Sequence, residues 1–428
     1  MLGEGGTGKS WVLKAINEFA RRWHVAGDIV TTATSGVAAC LINGMTWQKS
    51  LGVGIRYKNK DPTNEVKSAW QHVILLIVDE LSMLACGGLG VINNMLQRIL
   101  GNSKLFGGIH ILLTGDMGQL CAGNQRLWLN LDSTGDAPHP LALEGSQIWK
   151  EELNTLFHLV VSKRMENDQQ YASDMHDLRE RQFTKQHILR MRTCLADASK
   201  PGAIKPGQKI IVPCNDLRED IAREVTRQYG IAQLSSNPDP SLTWRQRGAI
   251  VVDMTVHRRN TGSSTSLGDA PASITSFIHK VCPEKSLKGM PGQLCFILGE
   301  TYSFATNICV MRGMAKSMWV TATDLVLSDA TAVTWNPVTG MHHVSANDVE
   351  MAIVTLQLGD WGDKKIFDLD ALKDNPGQVP VEPIRDASVS VPVRGYKMPL
   401  QFTQLPLVLV KAMTCHKAQV FIHTRAFR

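Results

Sequence analysis

The chain opens on Gly3-Glu4-Gly5-Gly6-Thr7-Gly8-Lys9-Ser10, a G-x-x-x-x-G-K-[ST] run. It leads straight into a stretch with Val12, Leu13, Ile16, Phe19, Ala20 and Trp23 at helical spacing. Glycines in such a run let successive backbone N–H groups turn inward at a helix N-terminus and cradle phosphates. Gly3, Gly5, Gly6, Thr7 and Gly8 form the cradle, Lys9 reaches the β- and γ-phosphates, and the Ser10 hydroxyl is a ligand for Mg2+. The alternative, a glycine turn that binds nothing, is disfavoured by the helix that follows. Residues 1 to 120 go on alternating strand-like and helix-like runs, which is the α/β pattern. Ile29 to Ala33 and His110 to Thr114 read as strands, and the unbroken run Val73 to Val78 as a fully buried one.

That buried run ends in Asp79-Glu80. Parallel α/β sheets present their ligand sites at the C-terminal ends of strands. Asp79 is placed to hold Mg2+, and Glu80 to orient and deprotonate an attacking water, which separates a hydrolase from a nucleotide binder. A solvated strand end with no catalytic role is the bland alternative. The next strand ends in Thr114-Gly115-Asp116-Met117-Gly118-Gln119-Leu120, where the Gln119 amide is placed to bond a γ-phosphate or the water. Asp116 competes with Asp79 for the metal and ranks second, lacking an adjacent Glu.

With 428 residues, 43% of them hydrophobic, the chain is long enough for two or three domains with real cores. No apolar run approaches the roughly 20 residues a bilayer helix needs, and the N-terminus lacks the features of a secretory signal. Nine cysteines form no C-x-x-C pair and are expected to be reduced core thiols. The balance of 45 basic against 39 acidic residues, 45 − 39 = +6, permits a polyanionic partner without demanding one. Residues 1–150 read as a first α/β domain and 151–428 as a second. The second has strands at 156–161 and 209–212 and helices at 169–180, 183–194 and 216–229. Ser235 to Pro291, rich in Ser, Gly and Pro and carrying Arg258 and Arg259, reads as an insertion or flexible surface segment. Gly299 to Pro399 reads as a small β subdomain. Trp11, Trp23, Trp70 and Trp149 read as core, and Trp47 as the one tryptophan placed to stack on a base. No H-E-x-x-H or G-x-S-x-G is present.

Taken in order, five motifs resemble those of the Pif-type DNA helicases, the superfamily 1 group that includes the RecD proteins. They are Gly5-Gly6-Thr7-Gly8-Lys9-Ser10, then Thr34-Ser35-Gly36-Val37-Ala38-Ala39 with Asn43-Gly44-Met45-Thr46, then Ile77-Val78-Asp79-Glu80-Leu81-Ser82-Met83. Gly115-Asp116-Met117-Gly118-Gln119-Leu120 and Ala412-Met413-Thr414-Cys415-His416-Lys417-Ala418-Gln419 complete the set. The resemblance implies two RecA-like domains with ATP in the cleft between them, and a small β-rich insertion at roughly 235–400 in the second. It implies an ATP- and Mg2+-dependent, 5′-to-3′ helicase translocating on single-stranded DNA and opening duplex or structured DNA as a monomer. Roles in DNA repair, recombination and telomere maintenance, in nucleus or mitochondrion, follow from it as well. Thr34, Ser35, Gly36, Thr46, His416, Lys417 and Gln419 are then expected on the DNA track. Backbone amides, hydroxyls and a few cations suffice there to grip a phosphate chain without reading sequence.

The chain also departs from that pattern. Gln48 stands where the family has His, and Cys121 and Ala122 where it has prolines. Arg164 is the candidate arginine reaching the γ-phosphate, although its spacing to Asp168 is one residue longer than the family's. Pieces at both ends, the strand feeding the nucleotide loop and a final arginine-bearing motif, are expected to be absent. Since an arginine finger is worth about 10³–10⁵ in turnover, weak hydrolysis is the corollary. Two other readings stand beside the helicase: a degenerate relative that binds nucleotide or DNA without unwinding, and an unrelated P-loop ATPase acting on proteins. The Thr34–Thr46 and His416–Gln419 motifs argue against the second.

Overall fold

The glycine run joins a two-residue strand, β1 (Leu2–Gly3), to a 14-residue helix, α1 (Lys9–Arg22). The computed structural model describes residues 1–54, 61–121, 139–163, 165–193, 209–236, 239, 241–259, 266–310, 313–357, 377–393 and 396–414. They fall into two compact units, Met1–Pro206 and Gly207–Ala418.

In the first unit α1 is followed by β2 (Ile29–Ala33), α2 (Gly36–Leu41), β3 (Met45–Thr46), α3 (Trp47–Ser50) and α4 (Asn64–Trp70). Next come β4 (Leu75–Asp79), α5 (Cys86–Leu100), β5 (His110–Leu113), α6 (Pro140–Gln147), β6 (His158–Leu159), α7 (Gln169–Arg179) and α8 (Lys185–Thr193). The sheet is parallel in the order β3-β2-β4-β5. Leu2 of β1 bridges Gly115, just past β5, and β1 pairs in parallel with β6. The strand feeding the nucleotide loop is therefore present, though short. Leu76, Ile77 and Val78 of β4 have no exposed surface, as expected of a strand covered on both faces. Ile74 of the expected buried run is 56% exposed, however, and the strand starts at Leu75. Across from it pack Leu89, Ile92, Met95 and Leu96 of α5.

The division between units falls at 206/207 rather than near 151. The physical reason is that β6 pairs with β1 of the first unit and Arg179 of α7 bonds back to Asp116. Two tryptophans expected in the core are outside it: Trp11 is 62% and Trp23 68% exposed. Leu13, fully buried, sets the inward face of α1, and at 100° per residue Trp11 lies on the opposite side. Trp47 is the reverse case. It is buried in the main cluster with Trp70, so it offers no ring to a base.

The second unit begins α/β, with β7 (Ile210–Val212) and the long helix α9 (Asn215–Ser236). After α10 (Trp244–Arg247) it becomes β-rich, with β8 (Ala249–Asp253), β9 (Thr255–Arg259) and β10 (Ser266–Asp269), then α11 (Ala272–Lys280). β11 (Gln293–Ile297), β12 (Thr301–Phe304), β13 (Trp319–Leu327), β14 (Thr334–Asn336), β15 (Met341–Ser345) and β16 (Val349–Leu356) follow. The last are β17 (Gln378–Val381), β18 (Ile384–Val393), β19 (Tyr396–Gln404), β20 (Leu407–Leu409) and β21 (Ala412–Thr414). β21 returns to pair in parallel with β7. Between them lie three mostly antiparallel sheets, ordered β11-β8-β15-β14, β17-β16-β13-β12-β20 and β10-β9-β19-β18.

This is more β structure than the small subdomain expected after Gly299. The described residues between Ser235 and Pro291 are not a loose surface insertion: Ile250 and Val252 of β8 are fully buried, and α11 buries Ile278. The apolar run 249–252 lies buried in strand β8, between the polar stretches. Cys214 is likewise exposed rather than a core thiol, while Cys40, Cys86, Cys282 and Cys295 are buried. Among the described residues no helix is long and apolar enough to cross a membrane.

Candidate nucleotide site

Gly8 takes a left-handed backbone (φ 93°) and stands as the N-cap of α1. Its carbonyl accepts the first bonds of the helix, from the N–H groups of Trp11 and Val12. The loop before it is braced from two sides. The Thr7 hydroxyl donates to Glu4 O at 2.8 Å, and past β6 the Ser162 hydroxyl donates to Gly5 O at 3.2 Å and Lys163 N–H to Gly6 O at 2.9 Å. Lys9 is buried, and its ammonium folds back to donate to Gly3 O at 2.8 Å and Glu4 O at 2.9 Å. These carbonyls hold the Lys9 ammonium against the loop, at the helix N-terminus where a phosphate is favoured. Ser10, half-buried, is in the first turn of α1.

Asp79 closes β4 and is 7% exposed. Burial pushes its carboxyl up to about 6, against the pull of the Glu80 N–H and the Lys9 charge. Glu80, at a left-handed φ of 59°, is pushed up to about 7. Burial contributes most, the Asp79 charge adds to it, Lys9 opposes it, and Asp116 adds a little. Two carboxyls side by side, Asp79 buried and Glu80 half-buried, that resist ionisation are what an oxygen-seeking cation relieves. No group of three or more His, Cys, Asp or Glu among the described residues could hold a metal ion by itself. The donors fit Mg2+, which takes one or two carboxylates and completes its shell with hydroxyl, water and phosphate oxygens.

Asp116 is engaged by another residue. Both its carboxylate oxygens are taken by the Arg179 guanidinium, Nη1 to Oδ1 at 2.7 Å and Nη2 to Oδ2 at 2.9 Å. Burial alone would raise its carboxyl, but the Arg179 bonds and the Gly118 N–H outweigh it and hold the carboxyl low. Gly118 N–H donates to Asp116 Oδ1 and Gln119 N–H to Asp116 O, so the turn carrying Gln119 is hung on this one aspartate. Arg179 was not foreseen from the sequence, since no motif contains it and it is 63 positions from Asp116.

Thr34 comes close to the carboxylates: its N–H donates to Asp79 O and its hydroxyl to Glu80 O at 3.1 Å. The Ser35 hydroxyl caps α2 by accepting from Ala38 N–H, Gly36 is the first residue of that helix, and the Thr46 hydroxyl caps α3 by accepting from Lys49 N–H. These hydroxyls have local structural work, which their motif did not reveal. Arg164, His416, Lys417 and Gln419 lie outside the described residues.

Residues 1–200 match the PIF1-like helicase family. Among curated proteins, the ATP-dependent DNA helicase RRM3 of Saccharomyces cerevisiae is 36% identical over 125 residues, 28% of this chain and 17% of that protein. The chain thus spans about a fifth of the length of such relatives in the matched region. Among solved structures, the Pif1 helicase from Candida albicans superimposes with a TM-score of 0.58 at 19% identity, covering 98% of this chain and 81% of that one. A Pif1 helicase from Bacteroides in complex with ADP-AlF3 and ssDNA gives 0.57 at 17% identity, covering 98% and 79%. Over its first 200 residues the chain is similar to the PIF1-like helicases, and along nearly its whole length it has the fold of the Pif1 helicases.

Proposed function

We propose that this chain is an ATP-dependent DNA helicase motor that couples ATP hydrolysis to 5′-to-3′ translocation on single-stranded DNA. The observation that carries the reading is the convergence of one buried lysine on three acidic groups: Lys9 draws down the carboxyls of Asp79, Glu80 and Asp116 alike. That arrangement suits a site whose charges are balanced only when a nucleotide and a cation are bound.

Phosphates at the N-terminus of α1 would be met by the loop N–H groups and by Lys9, released from Gly3 O and Glu4 O. Ser10 and Asp79 would hold Mg2+, which when bound neutralises charge on the transferring phosphoryl group. Glu80, with a carboxyl already poised near neutrality, accepts a proton from the attacking water. Gln119 orients that water, and Arg164 supplies a guanidinium to the γ-phosphate. Thr34, Ser35, Gly36 and Thr46, with His416, Lys417 and Gln419, are proposed to follow the backbone of single-stranded DNA through amides, hydroxyls and cation contacts. Work as a monomer on duplex or structured DNA in repair, recombination and telomere maintenance, in nucleus or mitochondrion, is proposed from the family.

The test is ATP hydrolysis with and without single-stranded DNA, together with unwinding of 5′- and 3′-tailed duplexes. DNA-stimulated hydrolysis and opening of the 5′-tailed substrate are expected. Lys9→Ala should abolish nucleotide binding, and Glu80→Gln should retain it while losing roughly 10²–10⁴ in kcat. Folded protein that binds ATP or DNA but unwinds neither duplex would instead identify a binding module of helicase descent.

A further inference from the structure

Arg179 lies in the last turn of α7 and makes three charge-assisted contacts with two separate motifs. Two of its nitrogens pair with the two oxygens of Asp116, and its Nε approaches Glu4 Oε1 at 3.1 Å. Glu4 belongs to the nucleotide loop, and its carbonyl is one of the two that Lys9 holds. Asp116 is 3% exposed and supports the turn of Gln119. The guanidinium also rests directly on Gly118: a Cβ built there would fall inside Arg179 Nη1 and Cζ. A planar fork with donors fixed in direction can serve two carboxylates at once, whereas an ammonium is a point charge with no such geometry.

We propose that Arg179 is a positioning residue that couples the nucleotide loop to the turn carrying Gln119, by holding Glu4 and Asp116 on one guanidinium. The proposal rests on the nucleotide-site reading above. When phosphates draw Lys9 off Glu4 O, the Glu4 segment loses one of its bonds, with those from Thr7 remaining, and can shift. Arg179 passes that shift to Asp116, and the Gly118 and Gln119 N–H groups bonded to Asp116 carry the turn with it. Arg179 touches no phosphate in this scheme and acts only through the residues it holds.

Amide hydrogen exchange of the full chain with and without ADP and Mg2+ tests this without requiring hydrolysis. In the parent, the nucleotide should slow exchange in residues 5–10 and also at 116–119. In Arg179→Lys, and in Gly118→Ala, where the added methyl displaces the guanidinium, residues 5–10 should remain protected while protection at 116–119 falls about tenfold. Gly118→Ala should cost nothing further in the Arg179→Lys background. Where the parent hydrolyses ATP, both variants should lose about tenfold in kcat with KM for ATP little changed, a split that a merely destabilised fold does not give. Equal protection at 116–119 in parent and variants overturns the role of Arg179. No protection of residues 5–10 in the parent overturns the nucleotide-site reading itself, and this proposal with it.

Discussion

Glu80 has a left-handed backbone, and burial together with the neighbouring Asp79 pushes its carboxyl up to about 7. An acid whose folded pKa lies above its unfolded value binds more protons folded than unfolded between the two, so stability falls as pH rises through that window. For Glu80 the window runs from its ordinary value of 4.5 to about 7, and for Asp79 from 3.8 to about 6. The nucleotide-free protein is therefore expected to melt at higher temperature at pH 5.5 than at pH 8. Glu80→Gln should flatten that difference. Melting curves of both proteins at the two pH values check this, and an unchanged pH dependence in Glu80→Gln would mean that the carboxyl ionises normally. At this scale Lys9, Asp79 and Glu80 were legible in the sequence, because each belongs to a short local pattern with its own chemical logic. Arg179 was not, because its partners come from distant parts of the chain.

Among the elements, α5 and α6 cross unusually closely. A Cβ built on Gly90 of α5 would overlap the Leu141 carbonyl oxygen, and one on Gly145 of α6 would overlap that of Cys86. Both obstacles are backbone and cannot swing aside. Gly90→Ala should therefore destabilise the first unit by about 1–3 kcal/mol through overpacking, despite the better helix propensity of alanine. Urea unfolding measures it, and a neutral or stabilising result would show that the two helices can separate without loss. Helix α1 makes a complementary point. Its period was readable, but which side of it faces the sheet was not, so Trp11 and Trp23 were assigned to a core they do not enter. In the second unit, β8 and β9 were missed because short Val- and Ile-bearing strands among Ser, Gly and Arg look like a loop until a sheet covers them.

For the whole molecule, every described residue of the candidate nucleotide site lies in the unit Met1–Pro206: the loop from Gly3 to Ser10, Asp79, Glu80, Gln119 and Arg179. A fragment of residues 1–206 is therefore expected to fold and bind ADP with an affinity within about threefold of the full chain, since no described contact of the loop comes from elsewhere. Fluorescence titration with a labelled ADP measures this. A fragment that unfolds, or binds far more weakly, would show that the second unit is needed to form the site. DNA stimulation of hydrolysis is expected to be weaker in the fragment, which keeps Thr34, Ser35, Gly36 and Thr46 of the proposed DNA track but lacks His416, Lys417 and Gln419.

The sequence by itself determined the α/β class, the glycine loop, the acid pair at the end of β4 and the resemblance to the Pif-type helicases. These are written in contiguous residues, where backbone geometry and local chemistry impose fixed spacings. Only the tertiary structure decided that both oxygens of Asp116 are taken by Arg179. It alone decided that the hydroxyls of Ser35 and Thr46 cap helices, and that the first unit extends past residue 151 to take in β6 and α7. Those outcomes depend on which distant segments meet, and ion pairing and strand addition between distant segments leave no period or motif in the chain to read.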